Sequence, residues 1–132
     1  MTVSRLNIIL VEDDRIIAME VMDRLEAMGH KVMSILDNGE QAVKEILDKK
    51  PDLVFMDIRL DGKMDGIDAA QKIHDKQNIP IIYLTAYSDD TTLQRAKLTN
   101  PAGYMLKPFI NVELGRKVEE IIEKINHGID LM

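Results

Sequence analysis

The sequence predicts an α/β fold: a doubly wound parallel sheet of five strands, with helices on both faces in a three-layer α/β/α arrangement. Two observations lead to it. Short β-rich apolar runs alternate five times with stretches of helical period, the pattern of a parallel sheet joined by crossover helices. At 132 residues and 45% hydrophobic content, the chain can bury an ordinary core of one domain despite being 30% charged.

The elements follow in order. Leu6 to Val11 reads as the first strand, β1. After it Ile17, Val21, Leu25 and Met28 recur at helical spacing as the stripe of α1, with Gly29 as its C-terminal cap. Lys31 to Leu36 reads as β2 and Asp37-Asn38-Gly39 as a turn. Ala42, Val43, Ile46 and Leu47 form the buried stripe of α2, which must end before Pro51. Leu53 to Met56 is β3, running into Asp57. A loop from Ile58 to Gly66 precedes α3, whose stripe is Ile67, Ala70 and Ile73, and Pro80 marks entry to β4 at Ile81 to Leu84. Ser88, Asp89 and Asp90 are N-cap candidates for α4, whose stripe of Leu93, Ala96 and Leu98 is thin; where α4 ends is open. Gly103 to Leu106 is β5. The clearest stripe, Leu114, Val118, Ile121, Ile122 and Ile125, defines α5 from about Asn111 to about His127 and leaves Gly128 to Met132 as a tail. The expectation is a single domain over residues 1–132 with its core at about 5–127.

A net charge of −6 and a pI near 5.0 argue against direct nucleic-acid binding, which needs clustered Lys and Arg to replace counterions. The lack of cysteine excludes a disulfide framework and thiolate metal sites and is compatible with a reducing cytoplasm. The apolar run Ile8 to Val11 is too short for a signal peptide or a membrane span. His30, His74 and His127 show no pairing and read as surface residues, and the nine methionines read as core filler.

In a doubly wound sheet of order 2-1-3-4-5 the functional crevice lies where the winding reverses, between β1 and β3. Glu12, Asp13 and Asp14 follow β1 and Asp57 follows β3, so topology brings four carboxylates toward one crevice. Their repulsion calls for protonation or a cation, and oxygen-only ligation favours Mg2+ or a similar hard ion. The other strand ends supply Thr85 with a hydroxyl and Lys107 with an ammonium. A carboxylate, a metal, a hydroxyl and a lysine suit phosphoryl transfer, in which metal and lysine stabilise equatorial phosphoryl oxygens. Taken singly these residues mean less: Asp57 would cap a loop, Glu12 to Asp14 would serve the α1 dipole, and Lys107 would be a solvated lysine.

The order Glu12-Asp13, Asp57, Thr85, Lys107-Pro108 resembles the receiver domain of two-component response regulators, a flavodoxin-like fold, over nearly the whole chain. The flanking text agrees: Ile8 to Val11, Pro51-Asp52-Leu53-Val54, Met64-Asp65-Gly66, Gly103-Tyr104 and Lys107-Pro108-Phe109. The resemblance implies that Asp57 is the phosphoacceptor, taking a phosphoryl group from the phosphohistidine of a sensor histidine kinase with Mg2+ or Mn2+ as cofactor. It implies Asp13 as principal metal ligand, Glu12 as its partner in preference to Asp14, and the backbone carbonyl of Arg59 as a further ligand. Lys107 and Thr85 would contact the phosphoryl group, and Thr85 and Tyr104 would act as the switch pair, although Tyr104 also reads as a core aromatic. Arg59 and Tyr87 at the pocket rim would set the lifetime of the acyl phosphate.

The resemblance further implies a cis peptide at Lys107-Pro108, which sequence alone would not predict, since only about 5–6% of X-Pro bonds are cis. The implied protein is a cytoplasmic signalling switch, not an enzyme beyond its own phosphorylation and dephosphorylation. It would be a monomer or a phosphorylation-dependent dimer that presents an α4-β5-α5 face to a downstream protein. One departure is the loop after Asp57, Ile58-Arg59-Leu60-Asp61-Gly62-Lys63, which lacks the family's proline and is one residue longer, so that greater mobility is expected. Two rival readings share these residues: a receiver-like protein-binding module not regulated by phosphate, and a metal-dependent aspartyl phosphatase. The phosphatase pattern places its nucleophile after the first strand with a second Asp two residues on, whereas Asp57 follows the third and is followed by Arg59.

Overall fold

The computed structural model describes residues 3–86, 89–109 and 111–128. Five strands, β1 (Asn7–Val11), β2 (Lys31–Leu36), β3 (Leu53–Asp57), β4 (Ile81–Thr85) and β5 (Gly103–Leu106), alternate with α1 (Arg15–Ala27), α2 (Gly39–Lys49), α3 (Gly66–His74), α4 (Asp90–Lys97) and α5 (Asn111–Asn126). All strand pairings are parallel and the order is β2-β1-β3-β4-β5, the expected doubly wound topology. Tyr87, Ser88 and the last four residues of the expected tail lie outside the described residues.

The strands are apolar on both sides because helices cover both. Ile9, Val11, Val54, Met56, Ile81 and Tyr83 point into a core closed by Ala42 and Ile46 of α2, Ile67, Ala70 and Ile73 of α3 and Ala96 of α4. Their neighbours Ile8, Leu10, Leu53, Phe55, Ile82 and Leu84 point the other way, into a core closed by Ala18, Val21 and Leu25 of α1 and Leu114, Val118 and Ile121 of α5. The period of two along each strand thus sorts one continuous apolar run into two separate cores.

Helix boundaries follow local chemistry. Asp14, Asn38, Asp65 and Asp89 are the N-caps of α1, α2, α3 and α4, each accepting backbone N–H bonds from the first turn. The chain leaves α1 through Gly29, whose φ of +97° a residue with a Cβ would adopt only at a cost. Helix α4 ends at Lys97, and Asn100 beyond it takes a left-handed φ of 52°. Its stripe is thinner than expected: Ala96 is its buried residue, while Leu98, anticipated as core, is 79% exposed. Leu98, at the cap with helical dihedrals, is two residues past Ala96 and so about 200° around the helix, on the face turned away from the core.

Two histidines expected on the surface are instead structural. His30 is buried, and its Nδ1 accepts the Leu6 backbone N–H at 3.1 Å, a role open only to a neutral ring. His74, half-buried at the end of α3, has Nδ1 2.6 Å from the Thr99 carbonyl and Nε2 2.9 Å from that of Ile79. Neither signal exists in sequence, because all three partners are backbone atoms, which every residue type offers alike.

Burial holds the His30 titration below the ordinary value of 6.5. The unfolded chain therefore binds more protons than the folded one as pH falls through that range. Stability from this group is complete above about pH 6.5 and lost as pH drops toward the folded value. In urea unfolding at stepped pH, the wild-type midpoint should fall more steeply below about pH 6.5 than that of His30→Gln, which keeps an acceptor but cannot titrate; parallel curves would refute this.

Candidate functional site

Register builds the site. Val11 lies opposite Met56 and Asp57 opposite Leu84, so the residues leaving β1 and β3 emerge side by side at the C-terminal edge of the sheet. Thr85 lies opposite Leu106 in the next pair, and the Lys107 N–H donates to the Thr85 carbonyl at 2.8 Å. Glu12, Asp57, Thr85 and Lys107 therefore occupy one rim, although 95 residues separate the first and last of them.

Side chains complete the cluster. Glu12 and Thr85 are each 1% exposed and Asp57 is 6% exposed. Carboxylate oxygens of Glu12, Asp13 and Asp57 lie within 4.8 Å of one another. The Lys107 ammonium donates to Glu12 Oε1, and to Asp57 Oδ2 at 3.1 Å. Glu12 Oε2 accepts the Asp14 backbone N–H at 3.1 Å, and Asp57 Oδ1 accepts that of Arg59 at 3.1 Å. The Asp14 carboxylate turns away to cap α1, accepting from Ile16 and Ile17. The Lys107-Pro108 peptide is cis.

The electrostatics follow from burial and crowding. Burial raises the Glu12 carboxyl, and its hydrogen bond with Asp57 raises it further against the opposing pull of Lys107. Burial also raises Asp13, joined by the hydrogen bond and charge of Glu12 and by the charge of Asp61. For Lys107 burial acts downward, yet the Glu12 hydrogen bond and the Asp57 and Glu12 charges outweigh it and the net direction is up. One ammonium among three carboxylates leaves an excess of negative charge. The oxygen-only donors fit a hard divalent cation as the missing counter-charge.

Of the other residues singled out, Arg59 contributes the backbone N–H on Asp57, and its charge is felt at Asp89, the cap of α4. Tyr104 is half-buried and stacks on its cross-strand neighbour Tyr83, with ring centroids 6.1 Å apart. In the loop after Asp57, Asn38 and Asp61 form a parallel bridge, and the Gly66 N–H donates to the Ile58 carbonyl at 2.8 Å. Sequence reasoning missed Asp61, whose charge reaches Asp13 from that loop, and the steric role of Gly66. A Cβ on Gly66 would stand 2.0 Å from the Asp57 carbonyl oxygen. Its signal was available as a glycine directly after an Asp cap, in a loop that must return to the strand it has just left.

The structure thus defines a doubly wound domain whose acidic, lysine-paired crevice sits at the reversal of winding. The response regulator receiver domain model matches residues 8–119, and the chain belongs to that family of signalling switches. A curated relative, the transcriptional regulatory protein PdtaR of Mycobacterium tuberculosis, is 32% identical over 117 residues, covering 89% of this chain and 57% of that protein. A protein-glutamate methylesterase/protein-glutamine glutaminase of Natronomonas pharaonis is 32% identical over 125 residues, covering 89% of this chain and 34% of the relative. The chain spans about a third to just over half the length of these curated relatives. Among solved structures, the signal receiver domain of a modulated diguanylate cyclase from Desulfovibrio desulfuricans G20 aligns with a TM-score of 0.85 at 39% identity, covering 90% of this chain and 94% of that one. No helix among the described residues is long and apolar enough to cross a membrane.

Replacing Gly66 with alanine forces a clash with backbone, which cannot rotate aside as a side chain would. The expected cost is about 1–3 kcal/mol in urea unfolding, and an unchanged midpoint would show that the helix start can retreat from Asp57.

Proposed function

We propose that Asp57 accepts a phosphoryl group from the phosphohistidine of a sensor histidine kinase, and that the modified domain signals through a changed surface to a downstream protein. The observation that carries this reading is the Lys107 ammonium 3.1 Å from Asp57 Oδ2, in a crevice shared with Glu12 and Asp13. An Asp57 oxygen attacks phosphorus, the bond from phosphorus to the donor imidazole nitrogen breaks, and the electron pair returns to the ring. The product is an acyl phosphate on Asp57.

Each residue has a place in that step. Lys107, already shared between Glu12 and Asp57, neutralises charge on the transferring group. Thr85, on the same rim, supplies a hydroxyl to a phosphoryl oxygen, and the Arg59 N–H holds the Asp57 carboxylate in line. Asp13, Glu12 and Asp57 would hold Mg2+ or Mn2+, with the Arg59 carbonyl as a further ligand. When bound, the ion offsets repulsion between carboxylate and incoming phosphoryl group. A groove lined by Ile17, Glu20, Val21 and Arg24 of α1 and by Ala86, Pro108 and Phe109 opens beside Lys107 and would admit a partner kinase to the site. Phosphorylation adds about −1.5 to −2 of charge at pH 7. In this reading Thr85 senses that charge, and Tyr104 relays the change to the α4-β5-α5 face.

Intact mass after incubation with Mg2+ and acetyl phosphate tests the assignment. Wild type should gain one phosphoryl group and Asp57→Asn none; no gain, or an equal gain in the variant, refutes it. Sustained phosphate release from a small phosphomonoester would instead favour a phosphatase.

The metal assignment has its own test. Asp13→Asn should weaken Mg2+ binding about tenfold or more in calorimetric titration, and undiminished affinity would remove Asp13 from the ligand set.

A further inference from the structure

Helix α4 is attached to the domain in an unusual way. Its apolar anchorage is one buried residue, Ala96, whereas α5 buries four. Polar groups make up the rest. Thr99, just beyond the helix, is 5% exposed, and its hydroxyl donates to the Ala96 carbonyl at 2.6 Å. With that proton committed, Thr99 Oγ1 accepts from the Tyr83 hydroxyl at 2.6 Å. The Thr99 carbonyl lies against the His74 ring, whose other nitrogen reaches Ile79 at the entrance to β4. Arg95 adds ion pairs to Asp65 at 3.2 Å and Asp68 at 3.3 Å, but these are exposed and worth little. The buried chain from Tyr83 to Thr99 to Ala96 is the stronger tether, because a buried hydroxyl without its partner costs more than a surface ion pair returns.

The sheet end of this tether is not neutral ground. Tyr83 is fully buried on β4, two residues before Thr85 at the crevice rim, and it pairs across strands with Tyr104 and stacks on it. One side chain therefore touches the aromatic on β5 and holds the end of α4.

We propose that Tyr83 is a positioning residue of the switch: through Thr99 it latches the C-terminal end of α4 to the sheet in the unphosphorylated protein, and activation proceeds by loosening that latch. The inference rests on the phosphorylation reading above for its functional half only. The latch stabilises the unphosphorylated arrangement alone, so removing it shifts the balance toward the activated one before any phosphate arrives. By reciprocity, the unlatched protein must bind an activating ligand at Asp57 more tightly by the same factor.

Tyr83→Phe deletes the hydroxyl and keeps the ring stack, and Thr99→Val breaks the same bond from the other side should the first variant fold poorly. Amide hydrogen exchange on the unliganded proteins should quicken by about fivefold across residues 90–100, the worth of one buried hydrogen bond, with β1 and β3 unchanged. Affinity for beryllofluoride with Mg2+, a phosphoryl mimic, should rise by about the same factor. A purely structural role would instead quicken exchange throughout and leave affinity unchanged or lower. Unaltered exchange across α4 in both variants, or no gain in beryllofluoride affinity, overturns the proposal. Should wild type bind no beryllofluoride at all, the phosphoryl reading falls, and the exchange result still judges the latch.

Discussion

The Lys107 ammonium lies between Glu12 and Asp57, and the architecture of the domain is organised around making that position available. Parallel pairing aligns the strand ends, and the reversal of winding between β1 and β3 leaves a crevice there without a helix above it. Three carboxylates converge in that crevice, two of them buried, and no local segment could bring them together. One cation, following the last strand, is held within hydrogen-bonding distance of two of them and offsets part of their repulsion. Fixing Lys107 requires β5 to pair with β4, and fixing Asp57 requires β3 to pair with β1 and β4. The ion pair therefore depends on nearly every long-range contact of the sheet.

The acidic run after β1 shows how adjacent residues of one charge take different tasks. Glu12 continues the strand direction and is buried, Asp13 stands at the mouth of the crevice, and Asp14 rotates out to start α1. Asp14 thus gives its carboxylate to two backbone N–H groups, and its own N–H steadies Glu12. A helix cap and an acidic site are here successive residues of one turn, and the cap's geometry sets the direction of the carboxylates before it.

Much of this was legible in the sequence because it is encoded locally. The alternation of Ile8 to Val11, Leu53 to Met56 and Ile81 to Leu84 with helical stripes is a periodic signal, and it located all ten elements and their winding. The gathering of Glu12, Asp13, Asp57 and Lys107 then followed from topology. What escaped notice depended on backbone partners, which residue types do not reveal. His30 is buried because Leu6 offers it an N–H, and His74 because two carbonyls surround it. The bridge between Asn38 and Asp61, within the loop from Ile58 to Gly66, is likewise a pairing that residue types alone do not disclose. Leu98 stands two residues past Ala96, about 200° around the helix, so it falls on the face of α4 opposite the buried one and the stripe read there had no helical period at that point.

The sheet also divides the interior into two cores that share strands but not faces. Tyr83 and Leu84 are adjacent in the chain, yet one packs with α3 and α4 and the other with α1 and α5. Volume changes on the two sides meet different neighbours and therefore tend to add rather than compensate. A substitution beneath α1 and α5 accordingly leaves the side chains packed around Tyr83 and Ala96 with their own neighbours, and the reverse holds on the other face.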